Sequence, residues 1–314
     1  MSQSSTVYSL SISPDGESLC VGLNDGFCVY SLNPFSETFR FSDNRSSSNA
    51  ITLPSVSIVV YSGIHGQKSF SDKSICVYNY STKRPTIQVD LPEKVHKIVM
   101  NTKMFIIALK SEVRLYNFEP AGLFSQLRCA SNEYAPVDIV EYKGTSLIGM
   151  TGKQSCILRV VTSDSSEIVD LSIEAHSHPI THIKFSSNGS YVATASSQGT
   201  IIRVFNTLSG ERIAEFRRGS FSADIQSIAF SPTSAHLAVT SSKNTLHIFS
   251  LEGDKTDVQR SIASWKIPDS GFSNVAFRSQ DSIVMATSEG NIYLLRFDAN
   301  TPAIHLEGSS PFLS

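Results

Sequence analysis

The chain has 314 residues, with 26 Lys and Arg against 28 Asp and Glu, a formal net charge of −2. That balance excludes a protein that works through bulk positive charge, such as a polybasic nucleic-acid binder, but leaves room for a local basic site. Apolar residues make up 40% and charged residues 17%, which suits a sizeable core and excludes a disordered or coiled-coil chain. The five cysteines, Cys20, Cys28, Cys76, Cys129 and Cys156, are odd in number and contain no C-x-x-C. They form neither a disulfide scaffold nor a zinc framework. The first residues lack the basic and apolar regions of a signal peptide, and no apolar run approaches the ~18 residues that span a bilayer. A cytoplasmic protein with at most peripheral membrane contact is the expectation.

Short alternating runs begin at once. Val7 to Ile12 is the first, and Leu10-Ser-Ile-Ser-Pro-Asp-Gly16, Leu19 to Gly22 and Gly26 to Tyr30 follow it. Ser74 to Asn79, Met104 to Leu109 and Val113 to Asn117 continue the pattern. Val, Ile, Tyr and Phe fill these runs, and Gly, Asn, Asp and Ser separate them, which is strand and turn chemistry. No helical period persists; the best candidate, Ala214 to Arg218, is too short. Gly149 to Lys153 hints at a phosphate loop, but Leu147 stands where the first Gly belongs and Gln154 where Ser or Thr belongs. It reads as a strand running into a turn.

The strongest signal is a repeat. His182 to Ser196 resembles Ser227 to Ser241: Phe185 pairs with Phe230, Ala193 with Ala238, Ser196 with Ser241 and Thr200 with Thr245. The strands Ile202 to Phe205 and Leu246 to Phe249 continue the match with a slip of one residue. Weaker copies open the chain and close it at Asn274 to Phe277, Ile283 to Ala286 and Gly290 to Leu294. A period of ~40–45 residues with about four strands per unit is a propeller signature. It predicts an all-β, seven-bladed β-propeller of degenerate WD-like repeats occupying residues 1–314 as one domain. The blades are expected at 1–50, 51–93, 94–132, 133–174, 175–220, 221–268 and 269–314. The usual Trp-Asp ending is absent, and Trp265 is the one tryptophan. A pair of sandwiches would not explain the register of the copies.

Two clusters carry chemistry. His176, His178 and His182 have a spacing open to metal binding, to turn-fixing hydrogen bonds or to anion binding by His176. Phe216-Arg217-Arg218-Gly219 follows the turn Thr207 to Gly210 and so ends the outer strand of blade five. Neighbours on a strand face opposite ways, so the two arginines serve two places flanking the strand. Arg forks match phosphate bidentately. On chemistry alone the pair can equally solvate an edge strand.

A degenerate WD-like propeller with this tetrapeptide after its fifth repeat resembles the PROPPIN (WIPI) family. Further resemblance lies in Ala175-His176-x-x-Pro179-Ile180, in Ala193 to Phe205, in Leu237 to Phe249, in Gly26-Phe-x-Val-Tyr30 and in Asn33-Pro34-Phe35. The resemblance implies two head-group pockets. The first would use His176, Thr194, Ser196, Thr200, Arg203 and Arg217, and the second Arg218, Ser241, Lys243, Thr245 and His247. A histidine there adds a donor that strengthens on protonation, and Gly219 would let the backbone approach the head group. The resemblance further implies phosphatidylinositol 3-phosphate and phosphatidylinositol 3,5-bisphosphate as ligands, with two sites giving avidity. It implies a monomeric scaffold, not an enzyme, without cofactor or metal and without nucleic acid as partner. Such a scaffold would act in autophagy at pre-autophagosomal, endosomal or vacuolar membranes. The loop with Lys68 and Lys73, and the turn with Lys83 and Arg84, correspond to a region that touches the autophagy lipid-transfer protein. A plain WD-repeat hub whose Arg pair grips an acidic peptide is the competing function. Two features depart from the family. Ser220-Phe221-Ser222 replaces a stretch that carries another basic residue, and Phe221 is expected to pack at the loop base, with dipping into the membrane interface as the alternative. The link from Leu251 to Arg260 is short and polar, so little membrane insertion is expected from it.

Overall fold

The computed structural model describes residues 5–313 apart from 44, 54, 56, 68–69, 164–169 and 253–256. Seven antiparallel sheets follow one another along the chain, over 7–42, 49–90, 97–128, 137–174, 180–217, 225–266 and 273–311. The first strand of each sheet touches the first strands of the sheets before and after it, and Val7–Ile12 touches Ser273–Phe277, so the seven close into a ring. This is the seven-bladed propeller, and no helix occurs among the described residues. The expected blade limits agree with the sheets, except that the first boundary cuts into Asn49–Leu53, the inner strand of blade two. The candidate helix around Ala214 is strand Arg212–Arg217. Gly149 lies in strand Thr145–Thr151, and the chain turns at Gly152, whose N–H donates to Ile157 O at 2.8 Å.

Middle strands are buried on both faces and outer strands on one, which is why the former read as continuous apolar runs. Ser18–Leu23 is buried throughout, whereas Arg84–Asp90 alternates toward solvent. The core consists of seven apolar clusters, and each draws its side chains from two adjacent blades. Leu19 and Val21 of blade one pack with Val284 and Ala286 of blade seven in one of them.

Side chains on the inner strands bind the backbone of the next blade. Ala50 N–H donates to Ser9 Oγ at 3.1 Å, Phe185 N–H to Asp138 Oδ2 at 2.8 Å, and Val275 N–H to Ser227 Oγ at 3.2 Å. The ring closes by the same device: Ile12 N–H donates to Asn274 Oδ1 at 2.9 Å. Tyr30 O–H adds a bond to Phe312 O at 3.0 Å. Among the described residues no strand is exchanged between blades seven and one; each of these two sheets is complete within its own stretch of chain.

One connection leaves its own blade. Within blade six the chain crosses to blade five, where Gln259 and Arg260 pair in parallel with Phe216 and Arg217.

Replacing Asn274 with Ala leaves the Ile12 N–H at the closing seam without its acceptor. An unpaired buried donor costs about 1–3 kcal/mol, so N274A is expected to lower the midpoint of thermal unfolding by several degrees. A midpoint equal to wild type would show that the seam does not need this bond.

Candidate functional site

The Arg pair sits at the outer end of blade five, and strand geometry separates its two members. Ala214 and Phe216 point inward and are buried, Arg217 is exposed, and Arg218 turns back into the seam with blade six. Arg217 faces Ile201 across the outer hairpin, and no hydrogen bond or ion pair engages its guanidinium among the described residues. Arg218 is only 8% exposed. Its Nε donates to Gly199 O at 2.9 Å and its Nη2 to Phe221 O at 2.7 Å. Both partners are neutral carbonyls. No carboxylate pairs with it among the described residues, and burial pushes its pKa down. Gly199 has a positive φ, and a Cβ there would stand 1.8 Å from Ala223 O, so only glycine lets blades five and six meet here.

On the blade-four side, cross-strand pairing builds a row. Thr194 faces Arg203, and Arg203 faces Glu215. His176 Nε2 lies 3.0 Å from Thr194 Oγ1. Arg203 Nε donates to Glu215 Oε2 at 2.7 Å and Nη1 to Ala175 O at 2.7 Å. Arg212 shares the same carboxylate oxygen at 2.9 Å. His176, Thr194, Arg203 and Arg217 therefore share one edge of blade five. Ser196 is buried at the end of its strand beside them, while Thr200 lies in the turn, where its carbonyl accepts the Arg218 N–H at 2.9 Å. Arg203 is already ion-paired, and its bond to Ala175 O fixes the backbone that carries His176. A cavity of about 220 Å³ opens alongside, lined by Arg203, Arg212, Glu215, Asp257 and Val258 among others.

On the blade-six side, Thr245 and His247 lie on one face of strand Thr245–Ser250. His247 Nδ1 lies 3.2 Å from Ser261 Oγ, and its pKa is lowered by burial and then by the nearby Arg218 charge. Lys243 is exposed, and its carbonyl accepts from Thr245 Oγ1 at 3.2 Å and Lys266 Nζ at 3.1 Å. Ser241 is fully buried, and its Oγ has no partner among the described residues.

The two halves are register copies, but not quite as the repeat suggests. Ile201, not Thr200, is the counterpart of Thr245: the blade-five turn is one residue longer, so the two threonines are not equivalent. Arg203 then corresponds to His247, Glu215 to Ser264, and Arg217 to Lys266. Glu215 and Lys266 are the residues that motif reading misses. Carrying the repeat one strand further, to Phe216-Arg217 beside Trp265-Lys266, exposes the signal for Lys266.

Other expectations resolve locally. His176, His178 and His182 make separate contacts, and no group of three metal-ligating side chains converges among the described residues. Nothing lies within 4 Å of where a Cβ on Gly219 would stand, and its φ is not left-handed. Phe221 does not pack at the loop base; it is 81% exposed because the chain on both sides of it is pinned to blade five. Lys68 and residues 253–256 of the blade-six link lie outside the described residues. A larger cleft of about 550 Å³ between blades six and seven has a mixed lining that includes Asp281, Asp298, Arg296, His236 and His305.

A sequence model of the family described as PROPPIN matches residues 6–298. The chain belongs to the PROPPIN family. Autophagy-related protein 21 of Pichia angusta is 29% identical, over 82% of this chain and 68% of that protein. Autophagy-related protein 18 of Candida glabrata is 25% identical, over 78% of this chain and 63% of its own length. In fold, the chain is similar to Kluyveromyces lactis Hsv2, with a TM-score of 0.84, 18% identity and coverage of 98% and 100% of the two chains. KlAtg21 in complex with the coiled-coil of AgAtg16 superposes with a TM-score of 0.83 at 23% identity, covering 98% and 99%. This PROPPIN therefore stands among scaffolds rather than enzymes. No helix among its described residues is long and apolar enough to cross a membrane.

The histidines give a pH dependence. Burial, then Arg203, holds His176 down to about 4, and burial, then Lys97, holds His182 down to about 3, from an ordinary 6.5. Both are neutral in the fold at pH 7, so without ligand the His176 donor is not strengthened by charge. Above pH 6.5 folded and unfolded chains bind the same protons at these sites. As pH falls from 6.5 toward 4 only the unfolded chain takes them up, so stability is lost. The thermal midpoint is expected to drop between pH 7 and pH 5, and H182Q to make that drop shallower. An unchanged slope in H182Q would remove His182 from the explanation.

Proposed function

We propose that this PROPPIN reads phosphoinositide head groups at the two edges flanking Arg217 and Arg218, with phosphatidylinositol 3-phosphate and phosphatidylinositol 3,5-bisphosphate as ligands. The observation that carries this reading is Arg218, a guanidinium 8% exposed with only carbonyl partners. A buried cation without a counter-charge is costly, and an anion placed beside it returns much of that cost. The second pocket, with Arg218, Ser241, Lys243, Thr245 and His247, gains Lys266. The buried Ser241 hydroxyl, without a partner, is a spare donor for it. The first pocket, with His176, Thr194, Ser196, Thr200, Arg203 and Arg217, draws charge from Arg217, which has no carboxylate partner among the described residues, while Glu215 offsets only one of the two guanidiniums, Arg203 and Arg212, that share it.

An anion bound beside His176 or His247 raises the pKa of that ring, so binding and proton uptake reinforce each other as pH falls. Two weak sites on one rim give avidity on a membrane. The chain then acts as a peripheral scaffold at pre-autophagosomal, endosomal or vacuolar membranes, recruiting autophagy machinery. The autophagy lipid-transfer protein is a proposed partner at blade two, whose loop with Lys73 and turn with Lys83 and Arg84 lie at opposite ends of the strand Ser74–Asn79. A coiled-coil partner is proposed by analogy with the KlAtg21 complex.

Vesicle co-sedimentation tests the reading. Wild type is expected to pellet with vesicles carrying either phosphorylated lipid and not with vesicles lacking them. Arg217→Thr alone is exposed and leaves the fold intact; it should weaken binding about tenfold or more, and the Arg217→Thr/Arg218→Thr pair should abolish it. Wild type that ignores phosphoinositides, with the Arg pair instead binding an acidic peptide, would replace this function with that of a protein-interaction hub.

A further inference from the structure

Among the described residues Phe221 is the most exposed of the large apolar side chains, at 81%. Its loop is not loose. Arg218 Nη2 donates to Phe221 O at 2.7 Å, and two residues on, the Ala223 N–H donates to Gln198 O at 3.3 Å with Ala223 buried. The backbone is fixed on both sides of a ring that points away from the protein. Two more apolar side chains are exposed on the stretch of blade six that crosses to the blade-five edge: Val258 at 42% and Ile262 at 36%. They flank Gln259 and Arg260, the pair of residues added to the blade-five edge beside Phe216 and Arg217. Arg217, Arg260, Lys243 and Lys266 are exposed around this same corner. Apolar side chains set among cations form a surface suited to the head-group boundary of an anionic bilayer.

We propose that Phe221 enters the interfacial layer of the bilayer when the head-group site is engaged, with Val258 and Ile262 resting on the lipid beside it. This rests on the phosphoinositide reading above. Arg218 links the two: its Nη2 holds the Phe221 carbonyl, and its guanidinium faces the proposed head group. The aromatic ring therefore sits at a fixed offset from the phosphate. The anchor belongs to the loop between blades five and six, and the polar blade-six link contributes only its edge.

The test separates head group from bilayer. Binding of a water-soluble dibutanoyl phosphatidylinositol 3-phosphate is measured beside binding to phosphatidylcholine vesicles carrying the long-chain lipid, for wild type and Phe221→Ser. The soluble lipid should bind both proteins within about twofold, and vesicle affinity of the variant should fall about tenfold, the loss expected when one aromatic ring no longer leaves water. In Phe221→Trp, emission should be quenched by vesicles with brominated acyl chains beyond the quenching seen for wild type, which carries only Trp265. Phe221→Ser that binds vesicles like wild type, with no added quenching in Phe221→Trp, overturns the anchor and leaves the head-group site standing. Wild type that binds neither lipid form removes the head-group site, and the anchor with it. An equal loss on both lipid forms would assign Phe221 to the pocket rather than the bilayer.

Discussion

Everything in this molecule rests on the seam between neighbouring blades. No blade has a core of its own; each apolar cluster is shared by two sheets. The inner strands add a directional term, since a side chain on one blade accepts a backbone N–H of the next. Apolar area supplies the driving force, and these bonds set angle and height, because a buried donor left unpaired is costly. The closing seam has no exchanged strand to fasten it, so the Asn274 bond and the shared cluster between blades seven and one do that work. The candidate site is a product of the same constraint. Gly199 exists because blade six comes within van der Waals range of the blade-five turn, and Arg218 is buried because it lies in that seam.

The two proposed pockets are register copies with different electrostatics. At the blade-four side the copy holds an ion pair, Arg203 with Glu215. At the blade-six side the same positions hold His247 and Ser264, and the charge comes from Arg218, which has no carboxylate. An anion at the first edge competes with a resident carboxylate; at the second it meets an uncompensated cation. Equal residue lists therefore do not mean equal sites. The difference lies in whether a carboxylate already stands beside the cation.

The blades were legible because the repeat fixes spacing, and alternation fixes which residues of each outer strand face water. Ala193 and Ala238 are both fully buried at matching points. Turn length was less legible: one extra residue between Ser196 and Ile201 moves Thr200 out of the strand position that Thr245 holds. Glu215 was missed because a carboxylate on an outer strand looks like surface until cross-strand register brings it against Arg203. Lys266 was missed because its outer strand starts after the link that crosses to blade five. The exposure of Phe221 depends on hydrogen bonds to Gln198 and Arg218, which are remote from any local pattern.

Because the four antiparallel strands of each blade come from a contiguous stretch of chain, the contacts within a blade are short in sequence and can form soon after their residues leave the ribosome. The seams form in order behind them, each new blade covering the apolar face left open by the last. Two contacts must wait. The Gln259 and Arg260 pairing cannot cover the edge of blade five until most of blade six has been made. The seam between blades one and seven stays open until the final strand, Ala303–Pro311, arrives. During synthesis the apolar face of blade one is thus the last to be covered, although it is the first to be made.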